Sequence, residues 1–105
     1  MNEVFLVTNI TTNLNTGTHT ELCMTVFKDI KDANAYIDSI KDRARNGDTY
    51  DIVSYGACVP TEPVSDESYD VPRMFTRRRV VYKWTNSITS ASMHTVFGIE
   101  QRQVF

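Results

Sequence analysis

The sequence is poor in the residues that build small disulfide-linked or metal-bound folds. It has two cysteines in 105 residues, Cys23 and Cys58, and neither belongs to a Cys-x-x-Cys pair. Two thiols are too few for a disulfide scaffold, and they build no tetrahedral zinc site without histidines. We therefore interpret both as small apolar side chains, leave a Cys23–Cys58 bridge open, and expect no metal and no cofactor.

Glycine-rich and catalytic motifs are also missing. The chain has four glycines, and they are scattered over positions 17, 47, 56 and 98. A phosphate-binding loop needs clustered glycines, and neither a nucleophile elbow nor a His-Glu-x-x-His motif is present. The sequence thus predicts no catalytic residues and a protein that is not an enzyme.

Long apolar runs and an excess of charge are absent as well. No stretch approaches the ~20 apolar residues that span a bilayer, and the start lacks the basic region of a signal peptide. We expect a cytoplasmic protein with no membrane partner. The net charge is −2, from 11 basic and 13 acidic side chains. This is not the strongly basic balance typical of nucleic-acid-binding proteins.

What is present indicates one α+β domain over residues 1–105. The composition, 41% hydrophobic and 23% charged, is that of an ordinary globular chain. Strands are predicted at 4–10, 20–28, 50–59, 74–85 and 93–105. A helix is predicted at 30–45, with Asp29 as its N-cap and an apolar stripe formed by Ile30, Ala33, Ile37, Ile40 and Ala44.

The predicted order is β-β-α-β-β-β, a mainly antiparallel five-stranded sheet with one helix packed on one face. One helix cannot cover both faces of such a sheet. An uncovered face or edge invites pairing, so a homo-oligomer is one of the expectations.

Residues 60–72 differ in composition from the rest. They contain three prolines and four acidic residues, and we interpret them as a long, mobile acidic loop. A loop that carries aromatic side chains can fold onto a partner. The alternative is that these side chains pack back against the sheet.

A basic strand follows this loop. Residues 73–83 carry five cations: Arg73, Arg77, Arg78, Arg79 and Lys83. Alternation predicts Arg77, Arg79 and Lys83 on one face, and Met74, Val80, Tyr82 and Trp84 in the core. The basic face is solvated or paired with the acidic loop, binds a protein, or binds phosphates. The residues predicted to contact a partner are Tyr69, Arg73, Phe75, Arg77 and Arg79.

The two histidines stand in similar contexts, His19-Thr20 and His94-Thr95. The repeated pair resembles the two-histidine phosphoesterases, in which paired histidines act on a nucleophile and a leaving group. That family has His-x-Thr/Ser, whereas here threonine follows directly and would point to the opposite face of a strand. A small phosphoesterase is thus a second alternative, beside two unrelated surface histidines.

The first half resembles a class of small bacterial and bacteriophage accessory proteins. The resemblance covers residues 4–45: the opening Val-Phe-Leu-Val-Thr of 4–8, Val-Phe-Lys-Asp at 26–29, and Ala-Tyr-Ile at 35–37. It implies a hairpin docked on a helix and brings no catalytic residues. It also implies a non-enzymatic binding protein, a phage-encoded inhibitor or modulator of a bacterial host protein such as a defence system. The alternative is a nucleic-acid or nucleotide-binding module that uses the basic strand 73–83.

Overall fold

The computed structural model describes residues 2–48, 57–58 and 60–104. In chain order these residues form β1 (Asn2–Asn13), β2 (His19–Phe27), α1 (Ile30–Arg45), β3 (Ala57–Cys58), β4 (Ser65–Arg73), β5 (Thr76–Asn86) and β6 (Ser92–Val104). The predicted α+β class is confirmed, with an antiparallel sheet that carries a helix. Apart from β3, the strand predicted at 50–59 lies outside the described residues.

The two longest strands lie at the centre of the sheet. The strand order is β2-β1-β6-β5, and β3 and β4 both pair with the remaining edge of β5. β1 pairs with β6 over its whole length, from Asn2 opposite Val104 to Asn13 opposite Met93. The early hairpin β1–β2 and the late hairpin β5–β6 are therefore joined through strands that are far apart in sequence.

The helix packs on one face of this sheet, which we call the helix face. The Asp29 carboxylate caps its N-terminus by accepting from the Lys31 backbone N–H at 2.9 Å. Four residues of the predicted stripe are buried and Ile30 is partly buried, against a core formed by Phe5, Val7, Val80, Tyr82, Trp84, Phe97 and Ile99. In the described part of the chain, no helix has both the length and the apolar character needed to cross a membrane.

The predicted acidic loop is wrong over most of its length, because Ser65–Arg73 forms β4. Ser65 lies opposite Val81 and Ser68 opposite Arg78, so this segment extends the sheet at its edge. Pro72 is tolerated there because it lies within the register shift between Ser68 and Arg73 on an edge strand. The described sheet consequently has six strands, one more than the sequence predicted.

The predicted core position of Met74 is also wrong. β4 and β5 form a hairpin whose last pair is Arg73 and Thr76, so Met74 and Phe75 are the two residues of its turn. The Met74 side chain is 86% exposed. On the helix face of β5, the side chain that precedes Val80 is that of Arg78, two positions earlier in the chain. Arg78 is only 6% exposed.

Candidate protein-interaction site

The end of the β4–β5 hairpin carries apolar side chains into solvent. We call Val71–Phe75 the hairpin tip. Val71 is 74% exposed, Met74 86% and Phe75 55%. Single exposed apolar residues are common on protein surfaces, but three within five residues at the end of a hairpin form a patch typical of interaction sites.

The backbone of the tip is held in an unusual conformation. Met74 has a φ of 61°. A two-residue hairpin loop with positive φ at its first central residue normally has glycine there, because other side chains crowd the following carbonyl. The chain thus holds a large apolar side chain outward at a position that local energetics assign to glycine, and such strain is typical of functional segments.

Two arginines lie over aromatic rings at this end of the molecule. The Arg102 guanidinium carbon is 4.4 Å from the centroid of the Phe75 ring, and that of Arg73 is 6.0 Å from the centroid of the Tyr69 ring. Both distances are within the range of cation–π attraction. The Tyr69 hydroxyl donates to Glu67 at 2.7 Å, and this bond raises the pKa of Tyr69. The tip is therefore bordered by oriented charged and aromatic groups.

A groove of about 570 Å³ runs beside the tip. It is lined by Glu3, Pro72, Met74, Phe75, Gln101, Arg102 and Gln103. Its apolar wall comes from the turn, and its polar wall comes from the end of β6. Such a mixed groove suits one or two side chains of a partner better than a drug-sized ligand, whose sites are more enclosed.

Four of the five predicted contact residues lie at this end of the sheet. Tyr69, Arg73 and Phe75 belong to the tip or adjoin it. Arg77 braces it, because its Nε donates to the Tyr69 carbonyl at 3.1 Å and its Nη1 to Gln101 Oε1 at 2.8 Å. Arg79 is exposed and lies opposite Glu67 and Gly98, on the sheet face away from the helix. We call that face the outer face.

Arg78 is a cation whose role the sequence interpretation missed. Its guanidinium donates to both Asp66 oxygens, at 3.0 and 2.9 Å, and to Asp38 Oδ1 at 2.8 Å. Lys41 Nζ adds a contact to Asp66 of 2.6 Å. One of the five cations of the basic strand therefore holds β4 and α1 on the sheet. The signal was present in the sequence, since Arg78 alternates in phase with the core residues Val80 and Tyr82.

The two histidines lie in one row on the outer face. His19 and His94 are both direct partners of Thr12, and Lys83 is the partner of His94. Direct partners point to the same face, so the histidine Cα atoms are two strand spacings, about 10 Å, apart. Partial burial lowers the pKa of His94, and the positive charges of Arg79 and Lys83 lower it further.

The threonines that follow these histidines point away from them. Thr95 is fully buried on the helix face, where its hydroxyl accepts from Trp84 Nε1 at 2.9 Å. It is committed to the core and gives His94 no neighbouring hydroxyl. Within the described ranges, no three His, Cys, Asp or Glu side chains form a group that could hold a metal ion.

No family model, curated protein or solved structure matches this chain. Its own surface must therefore indicate its function. Two surfaces differ from ordinary solvated surface: the hairpin tip, which is apolar and strained, and the outer face, which carries exposed cations at Arg79 and Lys83.

Proposed function

We propose that this chain is a non-enzymatic binding protein that docks onto a partner protein through its hairpin tip. The observation that carries the proposal is Met74, which is 86% exposed at a φ of 61° beside exposed Phe75 and Val71. Burial of these side chains against a partner would recover the hydrophobic free energy that the isolated fold leaves unused.

The hydrophobic free energy available from burying the side chains of the tip is large enough for a specific complex. Full burial of one such side chain stabilises by about 1.5–3 kcal/mol. Aromatic and arginine residues at the centre of a contact are the common hot spots, and Phe75, Arg73 and Arg102 supply both types. The turn is held by the β4–β5 pairing and by Arg77, so little conformational entropy would be lost on binding.

The resemblance of residues 4–45 to small phage accessory proteins supports a bacterial partner. We infer a phage-encoded inhibitor or modulator that acts in the cytoplasm, with a defence-system protein as one class of target. The contact set is Tyr69, Arg73, Phe75, Arg77 and Arg79. The geometry of the tip adds Val71, Met74 and Arg102 to it.

The test is capture of a partner by tagged protein from bacterial lysate, with two matched variants. Met74→Ser with Phe75→Ser removes the apolar tip. Leu14→Ser with Ile88→Ser removes two exposed apolar side chains, 53% and 69% exposed, from the opposite end of the sheet. The proposal expects a stoichiometric protein that the control variant retains and the tip variant loses. Equal capture by both variants would exclude the tip.

The alternative is a nucleic-acid or nucleotide-binding module that uses the basic strand. It is favoured by Arg79 and Lys83, which are exposed on the outer face with His94 beside them. Tyr69 adjoins this face, because its hydroxyl donates to Glu67, the direct partner of Arg79, and it is the aromatic ring on which a base could stack. Nucleic acid in the eluate, with affinity that falls steeply with salt, would favour this alternative over the protein partner.

A further inference from the structure

We propose that the chain forms a symmetric dimer in which the outer face of one sheet stacks on the same face of a second copy. The helix occupies the opposite face of the sheet. The hairpin tip lies at one end of the molecule and is not part of this contact. The proposal shares one residue, Arg79, with the contact set of the proposed function, and the tip variant used below as a control separates the two contacts.

The centre of the outer face is apolar and smooth. Ile10, Val96 and Val81 are consecutive direct partners across β1, β6 and β5; Ile10 and Val96 are half-buried, and Val81 is only 3% exposed, so Ile10 and Val96 supply the accessible apolar surface. The neighbouring row contains Thr8 and Gly98, and a Cβ on Gly98 would come within 3.2 Å of Thr8 Oγ1. Small side chains here leave a level surface, which suits packing against another sheet at about 10 Å.

On this face β2 carries an acidic side chain and β5 carries two basic ones, of which Arg79 has Glu67 of the edge strand β4 as its direct partner and Lys83 has no acidic direct partner among the described residues. Glu21 on β2 is the direct partner of Ile10, so it ends the apolar row on one side. On β5, Arg79 and Lys83 stand two residues before and after Val81 and flank the other end of the same row. All three charged side chains are exposed, and the Glu21 carboxylate is 3.8 Å from the His19 imidazole.

This pattern is complementary to itself under one two-fold axis. An axis parallel to the strands, between β1 and β6, places β2 of each copy over β5 of the other. Glu21 then faces the pair Arg79 and Lys83 of the second copy, twice per dimer, and Ile10 faces Val96. An in-plane axis perpendicular to the strands would place β5 over β5, where like charges repel.

The charge complementarity between the two copies is kept when the stacked sheets are rotated relative to each other. Aligned sheets cross at about 30°, which moves β2 by roughly 4 Å along β5 at this distance from the axis. Arg79 and Lys83 each lie about 7 Å along the strand from the row of Glu21. A shift in either direction therefore brings Glu21 closer to one of the two cations.

The area predicts a reversible dimer. Four strands about 4.8 Å apart and four rows about 6.7 Å apart give a footprint of roughly 500 Å² per copy. Stable interfaces bury about 800 Å² per partner, so this contact is at the small end of specific association. We expect dissociation in the micromolar range, where sedimentation equilibrium measures it directly.

The decisive experiment uses two variants, each of which should be unable to dimerise alone. Glu21→Arg places positive charge against Arg79 and Lys83, and Arg79→Glu with Lys83→Glu places negative charge against Glu21. Sedimentation equilibrium from about 1 to 300 µM should show a wild-type dimer, weakened at least about tenfold in each variant. Mixing the variants should restore the dimer, because both contacts of the mixed pair are then attractive.

Two controls define the interface. Lys31→Glu, an exposed charge reversal on the helix, should leave the dimer unchanged. Met74→Ser with Phe75→Ser should also dimerise normally, which separates this contact from the tip.

Three results would overturn the proposal. The first is a wild-type chain that stays monomeric at 300 µM (about −5 kcal/mol of association). The second is a dimer whose dissociation constant is the same in both charge variants as in the wild type. The third is a pair of weakened variants whose dimer is not restored by mixing.

Discussion

The Arg78 guanidinium and the Asp66 carboxylate form a two-pronged ion pair between β5 and β4, with Nε–Oδ1 and Nη2–Oδ2 distances of 3.0 and 2.9 Å. The arginine side chain is 8% exposed and that of the aspartate 24%. The pair lies on the helix face, where Arg78 also reaches Asp38 of α1. It explains why an acidic, proline-flanked segment is an ordered strand.

Removal of the carboxylate should destabilise the fold. We expect Asp66→Asn to lower the free energy of unfolding by about 2 kcal/mol, because a nearly buried guanidinium loses its two-pronged partner while Asp38 remains. Urea denaturation measures the change. Asp42→Asn, which removes an exposed carboxylate on α1 beside Arg45, should leave the free energy of unfolding nearly unchanged. Equal stability of the two variants would show that the ion pair contributes little.

The same pair predicts a pH dependence. The hydrogen bond from Arg78, helped by that from Lys41, lowers the pKa of Asp66 from 3.8 to about 2 against the opposing effect of burial. Because the pKa is lower in the folded state, the contribution is complete above about pH 4 and is lost as the pH falls towards 2. The difference in unfolding free energy between wild type and Asp66→Asn should therefore shrink between about pH 4 and pH 2.5. A difference that stays constant over this range would contradict the assignment.

The turn residue Met74 should be more stable as glycine. We expect Met74→Gly to raise the free energy of unfolding by about 0.5–1 kcal/mol, since glycine adopts a positive φ without crowding. The same substitution should weaken capture of the partner, because the apolar contact is lost. Phe75→Gly, at the neighbouring position without a positive φ, should give no gain in stability. A loss of stability in Met74→Gly would mean that its side chain packs on the protein.

The hydroxyl of Tyr82 is buried without a hydrogen-bond partner among the described atoms. Burial raises the pKa of Tyr82 to about 12. Tyr82→Phe keeps the edge-to-face contact with Phe97 and removes the unsatisfied group. Its free energy of unfolding should therefore be unchanged or up to about 1 kcal/mol higher.

The matched control for Tyr82→Phe is Thr95→Val, which removes a buried hydroxyl that does have a donor, Trp84 Nε1. Thr95→Val should lower the free energy of unfolding, as measured by urea denaturation, by about 1–2 kcal/mol. If Tyr82→Phe lowers the free energy of unfolding as much as Thr95→Val does, the Tyr82 hydroxyl has a hydrogen-bond partner in solution.

The elements with local signals were predicted well. The helix has the predicted bounds, because its cap and its apolar stripe all lie within 17 residues. β2 shows where local alternation stops being sufficient. Alternation along residues 20–28 predicts Leu22, Met24 and Val26 on one half-buried face, whereas Leu22 and Val26 are 58% and 53% exposed. The register with β1 shifts between Val7 and Thr8, which interrupts the alternation on an edge strand.

The candidate site was predicted in location but not in form. Tyr69 was predicted on a mobile loop and Arg73 and Phe75 at the start of the basic strand, whereas all three lie on one hairpin. The strand character of 65–73 depends on Arg78, Asp38 and Lys41, which are 12 or more positions from Asp66. The sequence of residues 65–73 alone therefore does not predict these partners.

The sequence by itself determined the class of fold, the helix and the strands around it, because periodicity and capping act over a few residues. Only the tertiary structure decided which of the charged residues are buried, which strand each edge accepts, and that His19 and His94 share one row beside Thr12. These outcomes depend on pairing between β1 and β6 at opposite ends of the chain. The free energy of such pairing comes from contacts between distant residues, and the local sequence does not encode their register.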